Sequence, residues 1–480
     1  MAKLVGFLNG IVWSNALVYL CLGAGLFYSI GTRFAQVRHL KEMVVLMFSG
    51  KSSDKGVSSF QALSLALSAR VGTGNIAGVA AAIAFGGPGA VFWMWVLAFL
   101  GAATSFVECS LAQVYKVELD GQYRGGTAYY IEKALGIKWY AAAFAIANIF
   151  AMGATAPGVQ ANAIAAALDS SFGIAPIVTG IVLAGIMALI IFGGVKRIAR
   201  IAEFMVPFMA IAYILVAVII IIINASKVPE VFGMIVGSAF GKNAVFGGII
   251  GSAISWGVKR GIYSNEAGLG TATQAAGAAE VSHPAKQGLV QAFSVYIDTL
   301  FVCSATAFMI LMSGAYNVHQ GDGFIVENLP GVEAGPVFTI KAVESVFSGF
   351  GSAFIAIALF FFAFTTLIAA SYFGETNVAY LFRKRDIKLP VAIFRIGFIA
   401  TTLVGALRTA DLAWALGDLG FGLMAWLNLG AIFLLSKIAF KVLKDYEDQK
   451  AQGLDPVFDP DKIGIKNADL WMKLKKEYTK

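Results

Sequence analysis

Long apolar stretches alternate with short polar loops along the whole chain. Runs of about 17–25 mainly apolar residues are long enough to cross a lipid bilayer as helices. The pattern therefore predicts an all-α polytopic membrane protein. Eleven transmembrane spans are predicted, at residues 11–31, 58–85, 90–115, 139–168, 174–194, 203–224, 244–278, 287–315, 348–381, 389–407 and 412–440.

The second span interrupts its own apolar pattern with Arg70 and the polar run 72–75 (GTGN). Glycine lets the backbone leave helical geometry, and the freed N–H and C=O groups are tolerated at membrane depth only where they line a cavity or bind a ligand. A helix broken there offers N–H groups to an anion and carbonyl oxygens to a cation. This anatomy is typical of a binding site in a secondary transporter.

The seventh span is unusually long, and the run 255–261 (SWGVKRG) predicts a break within it. Spans 2–6 and 7–11 would then be two five-helix units of opposite orientation, each opening with a broken helix. Span 1 would be an additional N-terminal helix. The predicted regions are 1–57 (peripheral helix and cytoplasmic loop), 58–224 (first repeat), 225–243 (external connection), 244–440 (inverted second repeat) and 441–480 (cytoplasmic tail).

Composition agrees with a membrane protein, since 58% of residues are hydrophobic, 13% are charged and the mean hydropathy is +0.77. The net charge of +8 comes from basic residues spread over loops and the tail, which favours a membrane surface over nucleic acid. Loops on one side hold 27 lysines and arginines and loops on the other hold 5. This bias predicts a plasma-membrane protein with the N-terminus outside and the C-terminus cytoplasmic.

Other function classes are less consistent with the sequence. It has no phosphate-cradling loop with its lysine, no metal-ligand cluster and no nucleophile–base pair, so neither catalysis nor a cofactor is expected. Cys21, Cys109 and Cys303 lie in apolar spans and are predicted to be buried small residues. A cation channel is the best rival, because unwound carbonyls and threonines also build selectivity filters. A membrane sensor would need a regulatory domain, and the tail 442–480 is short; we expect it to be solvated or, around Trp471, to rest on the membrane.

Three motifs carry a family resemblance: residues 71–75 (VGTGN), 86–95 (GGPGAVFWMW) and 260–268 (RGIYSNEAG). Together they resemble the alanine/glycine:cation (sodium:alanine) symporter family, of the amino acid–polyamine–cation superfamily. The resemblance extends over residues 56–435. It implies a LeuT-type fold, sodium-coupled uptake of alanine or glycine by a monomer, and a site near the bilayer midplane between spans 2, 4, 7 and 9.

A zwitterionic amino acid needs a site for its carboxylate, one for its ammonium and a pocket for its side chain. The N–H groups of Gly72, Thr73 and Gly74 suit the carboxylate, although close helix packing would also favour small residues there. Asn75 either braces the broken backbone or contacts an ion. Three further residues complete the predicted substrate site: Gln160 for the ammonium unless it only bridges helices, Trp256 over the small side chain unless it is an interface anchor, and Ile368 on the same wall.

Sodium prefers several hard oxygen ligands. Thr365 and Thr366 form an adjacent hydroxyl pair in span 9, and similarity to the fold places such a pair opposite the carbonyls of the first broken helix. Backbone oxygens of Ser68 and Val71 and hydroxyls of Thr365 and Thr366 are the predicted sodium ligands. The alternative is that the two hydroxyls bond back to their own helix.

Charged residues inside the membrane are costly and usually functional. Arg70, Arg260, Glu266 and Asp298 are therefore predicted to act in gating or coupling. Arg70 could replace a cation, or pair with Asp298 or Glu266 in a cytoplasmic gate. Protons in place of sodium remain the main alternative for the coupling ion.

Overall fold

A computed structural model of the protein describes residues 2–50, 52–243, 245–321 and 323–478. This part of the chain is mostly helical. The helices of the N-terminal half are α1 (Ala2–Val12), α2 (Asn15–Gly31), α3 (Ala35–Arg38), α4 (Leu40–Phe48), α5 (Ser59–Arg70), α6 (Ala77–Gly86), α7 (Gly89–Val114), α8 (Thr127–Tyr130), α9 (Lys138–Asn148), α10 (Ala156–Phe172), α11 (Pro176–Ile191), α12 (Gly194–Ile223) and α13 (Val228–Ala239).

The second half continues in the same way, and two short antiparallel hairpins lie outside the long helices. The remaining helices are α14 (Ile250–Asn265), α15 (Ala272–Ala278), α16 (Pro284–Tyr296), α17 (Ser304–Ser313), α18 (Pro336–Glu344), α19 (Gly351–Phe382), α20 (Lys388–Ala406), α21 (Ala410–Ala451) and α22 (Asp469–Tyr478). The hairpins pair β1 (Val117–Leu119) with β2 (Gln122–Arg124) and β3 (Asn317–Gln320) with β4 (Gly323–Glu327).

Within the described residues, 8 helices are long and apolar enough to cross a membrane, which fits a polytopic membrane protein. Continuous helix also joins α9 to α10 and α16 to α17 through π-helical turns at Ile149–Thr155 and Ile297–Cys303. Two of the predicted spans are each divided into two shorter helices, so the predicted total of eleven stays a prediction. The last span is longer than expected, since α21 continues to Ala451.

The first break lies where the sequence predicts it. α5 begins with a capping box between Ser58 and Gln61 and ends at Arg70. One turn of 3-10 helix, Thr73–Asn75, then precedes α6. The glycines, which disfavour continuous helix, thus separate two half-helices as expected.

The second break is not where the sequence predicts it. Residues 255–261 lie inside α14, which is helical through Asn265. The chain leaves helical geometry at Glu266, whose φ is 56°, and remains irregular through Gly268 and Gly270, whose φ angles are 90° and 77°. The prediction of a break at 255–261 is therefore wrong, because glycines in a helix interior are tolerated where neighbours pack closely. Gly257 shows this packing, since a Cβ there would lie 2.5 Å from the carbonyl oxygen of Ala90 on α7.

The helices around the breaks form two packed groups. α7 packs against α14 and α16, while α10 packs against α19 and α20. We call the end of the molecule that carries residues 452–478 the tail side, and the end that carries the β3–β4 hairpin the hairpin side.

Cys21, Cys109 and Cys303 are buried free thiols, as predicted.

Candidate functional site

The two helix breaks meet at one buried carboxylate, that of Asp298 in the π-helical turn between α16 and α17. Asn75 of the first break donates from Nδ2 to Asp298 Oδ1 at 2.6 Å. Ser264, at the end of α14, donates from Oγ to both carboxylate oxygens at 3.0 Å, and Thr299 Oγ1 donates to Oδ2 at 2.8 Å. In the described part of the chain, Asp298 has no lysine or arginine within salt-bridge distance. A deeply buried carboxyl group therefore links the two broken helices.

The first break is also braced internally by Asn75. Its Oδ1 accepts from the backbone N–H of Gly72 at 2.9 Å, while its Nδ2 faces Asp298. Asn75 is fully buried, so both ends of its amide are satisfied within the protein. Of the two roles predicted for Asn75, the bracing one is present in this structure.

Gln160 on α10 approaches the same break from the second helix group. Its Oε1 accepts from the N–H of Thr73 at 3.3 Å, and a Cβ added at Gly72 would lie 3.4 Å from that oxygen. The Thr73 hydroxyl is buried and has no hydrogen-bond partner among the described residues. These are the polar groups from the substrate-site prediction that the structure brings together.

The two predicted sodium-ligand threonines face different neighbours. Thr366 donates from Oγ1 to the carbonyl oxygen of Ser68 at 2.9 Å, and to Phe362 O on its own helix at 3.0 Å. Thr365 donates to Phe362 O at 3.0 Å and points to the Met209 sulfur, 3.6 Å away on α12. Both hydroxyls therefore bond back to their own helix, which is the arrangement of the alternative interpretation, and Thr366 in addition lies against the first break.

The other predicted residues near the breaks are placed as follows. Val71, the residue just after α5, is fully buried and has left helical geometry, with φ −80° and ψ 87°. Gly74 packs against α14, since a Cβ there would lie 3.4 Å from Ser264 Cα. Ile368 is fully buried on α19, two residues beyond Thr366. Glu266 is buried in the second break and accepts from Thr271 Oγ1 at 2.7 Å.

Arg70, the last residue of α5, bonds to two neighbouring helices. Its guanidinium donates to Gln291 O at 3.0 Å, to Ser105 Oγ at 3.0 Å and to the hydroxyl of Ser294. These partners lie on α7 and α16, and no ion pair joins Arg70 to Asp298 or Glu266 in the described residues. Arg70 therefore anchors the end of α5 to α7 and α16 through neutral partners.

The second break is held by two polar residues that the sequence analysis did not select. Glu108 on α7 is fully buried and accepts from the N–H groups of Gly268 and Gly270, both at 3.2 Å. Asn428 on α21 donates to Glu108 Oε2 at 2.7 Å and to Gly268 O at 2.9 Å. The sequence indicated them only as a carboxylate and an amide inside apolar spans. Burying such polar groups in a membrane costs free energy unless they are paired.

A cleft of about 680 Å³ opens near the hairpin side, and its lining includes Ala77, Trp256 and Arg260. Trp256 is half-buried and stacks on Phe85, with ring centroids 4.7 Å apart. Trp256 lines this cleft, whereas Gly72 and Gln160 are not among its lining residues. The predicted pocket residues are thus divided between the cleft and the first break.

Arg260 and Asp418 form the polar floor of this cleft. Arg260 Nη1 lies 3.3 Å from Asp418 Oδ1, and Lys259 Nζ lies 2.6 Å from Oδ2 of the same residue. The guanidinium also lies 5.2 Å from the ring of Trp256 and 5.0 Å from that of Trp414. The pair therefore joins α14 to α21 at the lining of the cleft, beside two tryptophan rings.

Comparison with known proteins gives one family. The family model for the sodium:alanine symporter family matches residues 1–460. The sodium/proton-dependent alanine carrier protein of Bacillus sp. (strain PS3) is 54% identical over 434 residues, covering 89% of this chain and 97% of that protein. The sodium/alanine symporter AgcS of Methanococcus maripaludis is 39% identical over 456 residues, covering 93% of this chain and 97% of that one.

Among solved structures, a manganese transporter of Eremococcus coleocola has a similar fold. The TM-score is 0.50 at 14% sequence identity, and the match covers 87% of this chain and 85% of that chain. At this identity the likeness concerns the fold alone. It is consistent with the transporter architecture predicted from the paired helix breaks.

Proposed function

Because the chain belongs to the sodium:alanine symporter family, we propose that it is a sodium-coupled symporter that imports small neutral amino acids, alanine and glycine, by alternating access. The observation that carries the proposal is the meeting of both helix breaks at Asn75, Asp298 and Ser264. A ligand that orders one break is thereby linked to the other. Coupling between two ligands requires such a shared element.

The amino-acid carboxylate is proposed to bind the N–H groups of the first break, at Gly72, Thr73 and Gly74. Helix N-termini and glycine-rich turns present such donors at little steric cost. The free hydroxyl of Thr73 and the amide of Gln160 lie at the same place. On carboxylate binding, the Thr73 N–H would leave Gln160, whose oxygen would then accept from the substrate ammonium.

The sodium ion is proposed to bind between α5 and α19, with carbonyl oxygens from Ser68 and Val71 and the hydroxyl of Thr366 as ligands. The contact between Thr366 and Ser68 is the basis for this position, because an ion inserted there would exchange one hydrogen bond for coordination by both oxygens. Thr365 would join the site only after its χ1 angle changes.

Proton coupling is the alternative, and one observation favours it. Among the described residues, no lysine or arginine lies within salt-bridge distance of the buried Asp298, and a relative carries the name sodium/proton-dependent alanine carrier. A carboxylate at this depth is stabilised by a bound cation, either a proton or sodium. Asp298 is thus the proposed coupling residue, with Glu266 of the second break as its neighbour.

The Arg260–Asp418 pair is proposed to be the gate on the hairpin side, with Trp256 limiting the pocket above the substrate. A bulky wall favours small side chains, although one methylene changes affinity by only about 1–3 kcal/mol. The loop charge bias supports a cytoplasmic tail side and an external hairpin side in the plasma membrane. The protein is proposed to function as a monomer with Na⁺ as the transported ion and no further cofactor.

The test is uptake of labelled alanine and glycine into proteoliposomes, with an inward gradient of sodium, of protons or of neither. Thr366→Ala should raise the half-saturating sodium concentration roughly tenfold or more, since a ligand to a charged species contributes about 1.5–3 kcal/mol. Thr365→Ala is the matched control on the same helix and should change the half-saturating sodium concentration little. Uptake that follows the proton gradient alone, with Thr366→Ala unchanged, would contradict the sodium site and favour proton coupling at Asp298.

A further inference from the structure

The C-terminal tail is docked on the protein instead of being solvated or resting on a membrane. After α21, residues 452–478 run across the tail side and end in α22. Trp471 is among the largest fully buried side chains, and Phe458 is also fully buried. Their rings pack edge to face at 5.1 Å. A segment with such buried aromatic anchors has a defined binding surface.

The anchor of the tail is the contact of Trp471 with the tail-side end of α7. Its indole Nε1 donates to the carbonyl oxygen of Gln113 at 2.8 Å. The ammonium of Lys116 lies 4.8 Å from the Trp471 ring and 4.6 Å from the ring of Tyr123. Trp471 thus contacts the backbone of Gln113, near the C-terminal end of α7, and the side chain of Lys116, just beyond that end.

The side chains of Gln113 and Lys116 hold the chain just after α15, at the tail-side end of the second broken helix. Gln113 Nε2 donates to Ala279 O at 3.0 Å, and Lys116 Nζ donates to the same oxygen at 2.9 Å. The chain around Ala279, just after α15, pairs with the chain just before α5. Val57 N donates to Ala278 O at 3.0 Å, and Glu280 N donates to Val57 O at 2.8 Å. The tail therefore supports, through Gln113 and Lys116, the bridge that closes this side.

The tail also spans the boundary between the two helix groups. On the α16 side, Phe458 N donates to Ser282 O at 2.9 Å, and Ser282 Oγ donates to Pro456 O at 2.9 Å. On the side that leads into α9, Asn467 Nδ2 donates to Lys133 O at 2.8 Å, and Lys133 pairs with Asp469 at 2.7 Å. Alternating access moves one helix group against another. A segment fixed to both groups resists that movement.

We propose that residues 452–478 are a built-in brake that keeps the tail side of the transport pathway closed until the tail detaches from α7. The inference rests on the proposed function in one respect, that the tail side opens during transport. Trp471 is a positioning residue in this device, acting on the pathway through Gln113, Lys116 and Ala279. Release of the tail would weaken the backbone hydrogen bonds that join Val57 to residues 278 and 280, and it would leave the substrate and ion sites unchanged.

The experiment measures opening directly, by thiol labelling of Ser64→Cys with a membrane-permeant maleimide in membranes that contain the full chain. Ser64 is buried on α5 between the bridge and the first break, so its labelling rate reports opening of the tail side. The parent chain, with its three buried cysteines, gives the background rate. The readout does not require transport, so a failure of the proposed function would not be confused with a failure of the brake.

Adding Trp471→Ala to Ser64→Cys should raise the labelling rate roughly tenfold, the effect of losing one hydrogen bond and one cation–π contact. Trp471→Phe keeps a ring over Lys116 but loses the indole N–H, and should give a smaller increase. Met472→Ala is the matched control, because Met472 is 42% exposed beside the anchor, and it should change nothing. Truncation after Gly453 should give the largest increase.

Unchanged labelling in Trp471→Ala and in the truncated chain, both monodisperse in detergent, would overturn the proposal. If the truncated chain does not fold, the comparison of Trp471→Ala, Trp471→Phe and Met472→Ala decides alone. Equal labelling in those three variants would likewise overturn it.

Discussion

The side-chain nitrogen of Asn75 lies 2.6 Å from Oδ1 of Asp298, and both residues are fully buried. This contact joins the first helix break to the helix that also holds the second break through Ser264. Two half-helices that are about 190 positions apart in the chain are therefore fixed relative to one another by a single carboxylate.

Asp298→Asn should leave the protein folded but reduce sodium-driven alanine uptake by roughly ten- to a hundred-fold. The amide keeps the shape of the carboxylate, but it loses a charge-assisted acceptor that contributes about 1.5–3 kcal/mol. The measurement is initial uptake in proteoliposomes beside the melting temperature in detergent. Ser313→Ala is the control, because its hydroxyl makes local contacts with Met309 O, Ile310 O and Ala315 N, away from Asp298. Wild-type uptake in Asp298→Asn would show that the link between the breaks is not needed.

Gly72→Ala should abolish sodium-dependent uptake. The new Cβ would lie 2.5 Å from Thr366 Oγ1, closer than real carbon–oxygen contacts, so α19 would have to move away from the first break. Gly78→Ala is the matched control, because its Cβ would approach only Arg260 Cδ, at 3.9 Å. Uptake and its sodium dependence are measured for both. Equal activity of the two variants would mean that close contact between the break and α19 is dispensable.

Asp418→Asn should weaken closure on the hairpin side. The change removes the partner of both Arg260 and Lys259 and leaves Arg260 buried without its charge partner, which typically costs about 3–5 kcal/mol. We expect faster loss of preloaded alanine from proteoliposomes and a higher KM for uptake. Asp411→Asn, at an exposed residue lining the same cleft, should have little effect. An unaltered rate of alanine loss in Asp418→Asn would argue against a gate at this pair.

The stability of the tail side should depend on pH through Lys116. Burial lowers the pKa of Lys116 from 10.5 to about 8, and the charge of Glu280 partly offsets that effect. Between about pH 8 and 10.5 the unfolded chain therefore holds a proton that the folded chain has released, so folding stability rises with pH in this window. Lys116→Met should lack this rise. Melting temperatures of the parent protein and of Lys116→Met, measured from pH 7.5 to 10, test this expectation. If the two melting temperatures change with pH in parallel, the rise does not come from Lys116.

The sequence by itself determined the class of protein and the existence of the first break. Long apolar runs have no stable alternative to membrane helices, and a polar glycine-rich run at membrane depth must leave the helix. The family resemblance, carried by three motifs, is confirmed by the family model over residues 1–460. Local composition was enough for the first two conclusions. Membrane insertion depends on the hydrophobicity of a segment, and a helix break depends on the backbone conformations that its residues allow.

Only the tertiary structure decided where the second break lies and which polar side chains face the site. The irregular segment at Gly268 and Gly270 is stable because Glu108 and Asn428, from α7 and α21, supply its hydrogen bonds. Likewise, the adjacent Thr365 and Thr366 cannot be distinguished by sequence, since their directions depend on Met209 and Ser68 from other helices.

The position of the C-terminal tail was likewise decided by tertiary contacts. Its charged composition is typical of a solvated segment, and its docking depends on one tryptophan that meets the end of a helix 358 positions earlier in the chain. Such partners are distant in sequence and close in space, so the free energy of their contact exists only once the helices have packed. Composition and local pattern therefore determined that the protein lies in a membrane and how its first broken helix begins. Packing between distant segments decided how the breaks, the Arg260–Asp418 pair and the tail are connected.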